Sequence, residues 1–474
     1  LLDLITIFIF ALGIVIMGLS FSGKGRNMKS FFAAGGAVPW AMSGLSLFMG
    51  FFSAGTFVVW GSIAYSLGWI AISIQWTMAI AGFVVGFFIA PRWHKTSALT
   101  VAEYITRRLG VNTQKTYTYL FLFISLFTTG SFLYPVAKIV EVSTGMPLDL
   151  CILLLGGFCI VYVAAGGLWA VVSTDVLQFI ILTAAVLIVV PLSFGRVGGV
   201  VNFIESIPAT YFNLVNGEYT IGFIIAFGVY NAIFLGGNWA YVQRYASVNS
   251  QSSARKVGFL FGGLYVVSAV LWMLPPMIYR IVNPSLSTID AEGAYLMMCK
   301  EVLPAGLLGL MLSGMVFATA SSLNATLNIS SGVVTNDIFK RLFPQSSDKT
   351  LMRVARISTI IFGLLAIIVA LLIPLMGGIV NVVISVAALT GVPLYLPIIW
   401  TLFSKRQTEY SVITTTLVSL GANAFFKFIT PLWGFGFNRA EEMIVGVAFP
   451  VFCLIAFELY YKLNHKISHR YVEY

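Results

Sequence analysis

The residues best suited to chemistry lie in one stretch, roughly 303–340. Its centre reads Ser313-Gly-Met-Val-Phe-Ala318-Thr-Ala-Ser321-Ser322-Leu-Asn324-Ala-Thr326-Leu-Asn328-Ile-Ser330-Ser331-Gly. The segment is apolar enough to enter a bilayer, yet it is dense in hydroxyls and amides. Ala318, Ser321 and Ser322 stand at i, i+3 and i+4 and so share one face of an α-helix. Two neighbouring hydroxyls and a backbone carbonyl suit a hard monovalent cation stripped of water. The same pattern also serves close helix packing in membranes, with Ser and Thr bonding back to their own backbone. A second candidate is Asp175, in Gly166-Gly-Leu-Trp-Ala-Val-Val-Ser173-Thr174-Asp175-Val-Leu-Gln178. A carboxylate inside an apolar span is costly and points to function; its other reading is a partner for a loop arginine.

The rest of the chain says what must hold these residues. It has 474 residues, 59% of them hydrophobic and 9% charged, where soluble domains carry roughly 25% charged residues. Mean hydropathy is +0.95. Apolar runs near the ~20 residues needed to cross a bilayer recur throughout. Thirteen spans are expected: 1–21, 38–64, 68–90, 116–141, 148–165, 169–193, 220–241, 256–282, 303–338, 352–374, 379–403, 410–430 and 442–463. The first lacks a basic leader and is read as a helix rather than a signal peptide. Alternate loops and the tail carry 21 of the 27 Lys and Arg, the opposite loops and span ends 6. This places the N-terminus outside and the C-terminus in the cytoplasm. The net charge of +10 therefore serves orientation and does not argue for nucleic acid.

Enzyme chemistry has little to draw on. The three histidines, His94, His465 and His469, fall in loops or the tail. Ser321 and Ser322 have no His or Lys on their helix face to act as a base. Of Cys151, Cys159, Cys299 and Cys453, only Cys299 is expected outside a span, so no disulfide framework follows.

Two spans carry break signals: Gly44-Leu-Ser-Leu-Phe-Met49-Gly50-Phe-Phe52-Ser53-Ala-Gly55-Thr56, and Gly228-Val-Tyr-Asn231-Ala-Ile-Phe234-Leu-Gly236-Gly237-Asn238-Trp239. With the first helix set aside they are the first and sixth helices of a ten-helix core. Interrupted helices at matching positions of two halves point to an inverted-repeat transporter with its site at the midplane.

These residues together resemble the sodium/solute symporter family, whose members carry sugars, proline, sialic acid, pantothenate or monocarboxylates. The resemblance rests on Gly166-Gly-Leu-Trp-Ala-Val-Val-Ser-Thr-Asp175-Val-Leu-Gln178, on Ala318-x-x-Ser321-Ser322 followed by Thr335-Asn336-Asp337, and on Gln243-Arg244. It implies an all-α LeuT-type 5+5 core. Residues 1–37 would be an extra N-terminal helix and loop, 38–205 and 206–405 the two five-helix repeats, and 406–474 two C-terminal helices and the tail. It implies a sodium site from the carbonyls of Met49, Phe52 and Ala318 and the hydroxyls of Ser321 and Ser322, with Asp175 accessory. Some members add a second sodium through two further hydroxyls; here those positions are Asn324 and Ala325, so one sodium per cycle is expected, although Thr326 is near enough to lend an oxygen.

The resemblance places Ser53, Thr56, Gln75, Tyr134, Asn231 and Tyr265 in the solute cavity and Phe234 at an aromatic inner gate. The sugar carriers use acidic and basic side chains there. In this chain the acidic position is Gln75 and no Lys lies between Gly258 and Arg280. Nor is there an Arg between Lys115 and Lys138 of the kind that sialic acid carriers use. The exposed N–H groups of a broken helix can hold a carboxylate without an arginine, so a small carboxylate or amino acid is put first and a polyol or other neutral polar solute next. The expected function is sodium-coupled import of a small polar solute by a multi-pass protein of a bacterial inner membrane, with no protein or nucleic-acid partner. The alternatives are a proton-coupled carrier of a sugar or polyol, with Asp175 as the proton site, and a solute sensor built on the same fold.

Overall fold

The computed structural model describes residues 5, 6, 9, 13, 38–98, 100–162 and 168–471; within these, the side chains of 158, 159, 161, 162, 168–174, 320, 321, 324, 325, 328, 329, 336, 337, 348 and 352 are not described. The span expected over 1–21 and the side chain of Ser321 thus lie outside the described residues. All regular structure among the described residues is helical.

The chain opens with α1 (Trp40–Met49) and, after an interruption and a π turn at Thr56–Trp60, α2 (Gly61–Leu67). Four helices follow: α3 (Trp69–Lys95), α4 (Val111–Thr144), α5 (Leu148–Tyr162) and α6 (Leu168–Arg196). The order then repeats. A second interrupted pair, α7 (Ile221–Gly237) and α8 (Trp239–Ala246), precedes α9 (Gln251–Val282), α10 (Leu307–Val333), α11 (Asp348–Leu372) and α12 (Ile379–Thr401). Two further helices, α13 (Glu409–Trp433) and α14 (Arg439–Leu463), complete the described chain. Among the described residues, eight helices are long and apolar enough to cross a membrane, and the bent pair α7–α8 makes a ninth. The span expected at 38–64 appears as two shorter apolar helices, and helix covers Leu148–Tyr162 and Leu307–Val333 of those expected at 148–165 and 303–338.

Packing sorts the helices into two groups. α3 lies against α7 and α9, and α1 against α9; α4 lies against α5, α10 and α11. The first group is held by backbone contact. Gly82 and Gly86 on α3 face Gly258 and Gly262 on α9, so each helix presents a Gly-x-x-x-Gly stripe. A Cβ on Gly258 would stand 2.6 Å from the Gly86 Cα, and one on Gly262 2.9 Å from the Ala79 carbonyl oxygen. Lipid offers no hydrophobic drive for helix association, so such close approach is what holds membrane helices together. Gly68 makes the sharp turn from α2 to α3 at φ +67°, a conformation that favours glycine.

Both groups meet in the short helix Ala294–Val302 and the turn before it. There Glu292, which is buried, accepts from the Tyr134 hydroxyl of α4 at 2.7 Å and from the Ile379 N–H at the start of α12 at 2.9 Å.

Gly258→Ala should lower the melting temperature of the purified protein by several degrees, since the backbone it meets cannot move aside cheaply. Gly263→Ala is the control. Its Cβ meets nothing within 4 Å, so it should be neutral or slightly stabilising, by up to about 1 kcal/mol of helix propensity.

Candidate functional site

The first break is local chemistry made visible. α1 stops at Met49, and residues 50–53 are turn and bend before helix resumes. Gly50 and Gly55 flank the stretch. Peptide groups freed at this depth need partners, because hydrocarbon supplies none. One is found across the molecule: the Ala54 N–H donates to the Thr319 Oγ1 of α10 at 2.9 Å, while that hydroxyl donates to the Met315 carbonyl at 2.8 Å. The Thr56 hydroxyl turns back to the Phe51 carbonyl. The second break falls at Asn238, where α7 and α8 bend by 60°. The Asn238 side chain caps α8, accepting from the Ala240 N–H at 3.0 Å.

Two cavities open at these breaks. One, of about 190 Å³, is lined by Ser53, Thr56, Gln75, Asn231 and Tyr265. These are five of the six residues that the sequence places around the solute. The sixth, Tyr134, is not among the lining residues; its hydroxyl is committed to Glu292. The other described walls include Phe51, Trp60, Phe132, Phe227, Tyr230, Tyr241 and Tyr395, and among the described residues no Asp, Glu, Lys or Arg lines this space. Gln75 is buried beside the Tyr265 hydroxyl, and its Nε2 has no hydrogen-bond partner among the described residues. Asn231 donates from Nδ2 to Thr77 Oγ1 at 2.8 Å. The single Thr77 proton is already given to the Ile74 carbonyl at 2.6 Å, so the hydroxyl can only accept. The Asn231 amide therefore turns its nitrogen toward Thr77, which takes one of its two N–H groups, and its oxygen remains as an acceptor.

The second cavity, of about 110 Å³, holds Met49, Ala318, Ser322 and Asp175 together with Ser46, Arg244 and Thr326. Ser322 Oγ donates to the Ala318 carbonyl at 3.4 Å. Phe52 is not among its lining residues; the Phe52 ring stacks on Trp272 at 4.8 Å, deep in the core. Asp175 has the arginine partner that one sequence reading gave it, and it borders a cavity. It faces the same cavity as Ser322, and it lies 4.0 Å from Arg244 Nη2. Its Oδ2 accepts from Ser46 Oγ at 2.6 Å, and Ser46 Oγ in turn accepts from Arg244 Nε at 3.3 Å. So Ser46 joins the carboxylate and the guanidinium, and α1, α6 and α8 meet at one polar knot.

Phe234 lines both cavities. It stacks on Tyr230 at 5.5 Å and stands edge-on to Tyr241 and Tyr395 at 5.5 and 5.8 Å. Ser46 and Thr319 were not singled out by sequence reasoning. Nothing marks one hydroxyl among the many in these spans until the break in α1 decides which of them it needs.

The profile of the sodium:solute symporter family matches residues 31–418. The sodium/glucose cotransporter of Vibrio parahaemolyticus is 28% identical over 472 residues, covering 90% of this chain and 86% of that one. The sodium/myo-inositol cotransporter 2 of Sus scrofa is 27% identical over 469 residues, covering 88% and 68%. Among solved structures, a Na+-coupled sialic acid symporter in a substrate-bound outward-open state superposes with a TM-score of 0.80 at 21% identity, covering 97% of this chain and 98% of that one. Mhp1, a nucleobase-cation-symport-1 family transporter, follows at 0.59 and 14% identity, covering 94% and 97%. The fold is that of the LeuT-type transporters. The chain belongs to the sodium:solute symporter family, and is a multi-pass membrane transporter, not an enzyme, that couples a small-molecule solute to sodium.

Proposed function

We propose that this symporter imports a neutral polyhydroxylated solute, a polyol or a sugar, with one sodium ion per solute. The carrying observation is the 190 Å³ cavity, whose described lining is aromatic or uncharged polar throughout. A carboxylate or amino acid, put first by the sequence, would bring charge into a space without a counter-charge, and burying an unpaired charge is costly. A polyol or pyranose matches the walls better. Its C–H faces pack on aromatic rings, and its hydroxyls find the Gln75 Nε2 donor and the Asn231 oxygen. Relatives named for glucose and myo-inositol support the same class. Gln75 in place of an acid separates this site from that of the charged-cavity sugar carriers.

The sodium seat is assigned to the carbonyls of Met49, Phe52 and Ala318 and the hydroxyls of Ser321 and Ser322. Met49, Ala318 and Ser322 border one cavity with Asp175, which supports this reading. Asp175 acts beyond the ligands, as a carboxylate drawing the ion along the route lined by Arg244 and Ser46. Asn324 and Ala325 lack the paired hydroxyls of a second site, which supports single-ion coupling. Sodium bridges the break of α1 to α10 and thereby fixes Ser53 and Thr56, just beyond the break, for the solute. The coupling is reciprocal: each ligand raises the affinity of the other by the same factor. Phe234 separates the solute from the Asp175 cavity, and its displacement would open the way inward. The alternating charge of the loops supports an outside N-terminus and a cytoplasmic C-terminus. Residues 38–205 and 206–405 form the two repeats, flanked by 1–37 and 406–474, in a bacterial inner membrane.

Charge movement in proteoliposomes on a solid-supported membrane tests this reading. Polyols and hexoses should evoke current in sodium and none in potassium, and Ser322→Ala should abolish it. A pH-dependent current equal in both salts would make Asp175 a proton carrier instead, and current with amino acids alone would overturn the neutral solute. With the responding solute, Gln75→Leu should raise KM about tenfold, as expected for losing one buried hydrogen bond worth about 1–1.5 kcal/mol. Asp175→Asn should raise the half-saturating sodium concentration severalfold and leave the maximal current within about twofold, as expected for a charge outside the ligand shell.

A further inference from the structure

α12 does not run as a single α-helix. Between Ile379–Val386 and Val392–Thr401 it takes a π turn, Ala387–Gly391. The cause is legible two residues on. In an α-helix the Leu389 carbonyl would accept from residue 393, but residue 393 is proline. Proline has no N–H, and its ring crowds the carbonyl four residues back. The Leu389 oxygen is thus stripped of its helical donor at a depth where water is scarce.

The donor comes from α13. Asn423, 5% exposed, gives its Nδ2 to the Ala388 carbonyl at 3.1 Å and to the Leu389 carbonyl at 3.2 Å. Both amide protons go to two consecutive oxygens of the one turn. α14 closes on the same place: a Cβ on Gly446 would fall 2.3 Å from the Ala388 oxygen. The turn also borders the solute cavity, through Ala387, Thr390 and Gly391. Gly391 abuts the Tyr230 ring so closely that a Cβ there would lie 2.2 Å from Cε2, and Tyr230 carries the stack on Phe234.

We infer that Asn423 is a positioning residue for solute specificity. It touches neither the solute cavity nor the sodium cavity. It holds the π turn of α12 in the shape that sets one wall of the solute cavity and the seat of the Tyr230–Phe234 stack. α13, which lies beyond the ten-helix core, thereby acts on transport through two hydrogen bonds. The inference rests on the assignment of the 190 Å³ cavity to the solute.

The test compares Asn423→Asp with Asn423→Leu, using myo-inositol and glucose as probes in proteoliposomes. Asp matches Asn in shape, but as a carboxylate it cannot donate and it repels both carbonyls. The expected order is wild type, then Leu with KM raised about threefold or more, then Asp with KM raised about tenfold or more, the maximal current staying within about twofold. The half-saturating sodium concentration for ion binding without solute should not move. If Asn423 merely filled space, Asp would lie nearer wild type than Leu, and that order would overturn the proposal. Hydrogen–deuterium exchange on the purified protein supplies a readout that needs no solute. Exchange over 387–396 should quicken in both variants, with 251–282 unchanged. No change at 387–396, or an equal rise across 251–282, would overturn the positioning role. If wild type moves neither probe, the solute assignment fails, and exchange alone decides what Asn423 does.

Discussion

The hydrogen bond from the Ala54 N–H to Thr319 Oγ1 ties the break after α1 to α10. Its origin is a constraint that water-soluble proteins escape. A peptide group released from a helix within the bilayer must find a partner in the protein. α1 releases several where it stops at Met49, and α10 supplies hydroxyls on the face that meets it. In the proposed account, an ion bridging the same two elements would complete what the backbone lacks.

The 190 Å³ cavity follows from the same break. Ser53 and Thr56 face it because the chain leaves helical geometry just before them, and α2 begins only after the π turn at Thr56–Trp60. The opposite walls come from α7 and α12, each with its own irregularity: Asn238 ends α7, and Pro393 forces the π turn of α12. Three irregular backbones converge where a ligand would sit, while the glycine contacts between α3 and α9 hold the surrounding bundle in close register. Phe234 borders both the 190 Å³ cavity and the Asp175 cavity.

Much of this was legible in the sequence because the signals are strong and local. Apolar runs gave the helices, and the glycines around Gly50 and Gly236 marked both breaks to within a few residues. The face of α10 bearing Ala318 and Ser322 follows from helical spacing alone. What was not legible depends on helix rotation and on partners distant in the chain. Tyr134 falls on the correct helix, but its hydroxyl is claimed by Glu292 in the turn before a different helix. Asp175 offered an arginine partner as one reading, and the structure links it to Arg244 through Ser46, which nothing in its own neighbourhood distinguishes. Pro393 announces a missing donor, but only the fold reveals that Asn423, 30 residues later, supplies the replacement.

The central claim is that sodium seats between the break of α1 and the hydroxyl face of α10. Direct binding of radiolabelled sodium to the purified protein tests it without solute, membrane potential or transport. The account predicts saturable binding at one site. Thr319→Val and Ser322→Ala should each weaken it about tenfold or more, consistent with losing a hydrogen bond or an oxygen ligand, whereas Gln75→Leu, in the solute cavity, should leave it unchanged. Binding that is indifferent to Thr319 and Ser322 would place the ion elsewhere and contradict the account.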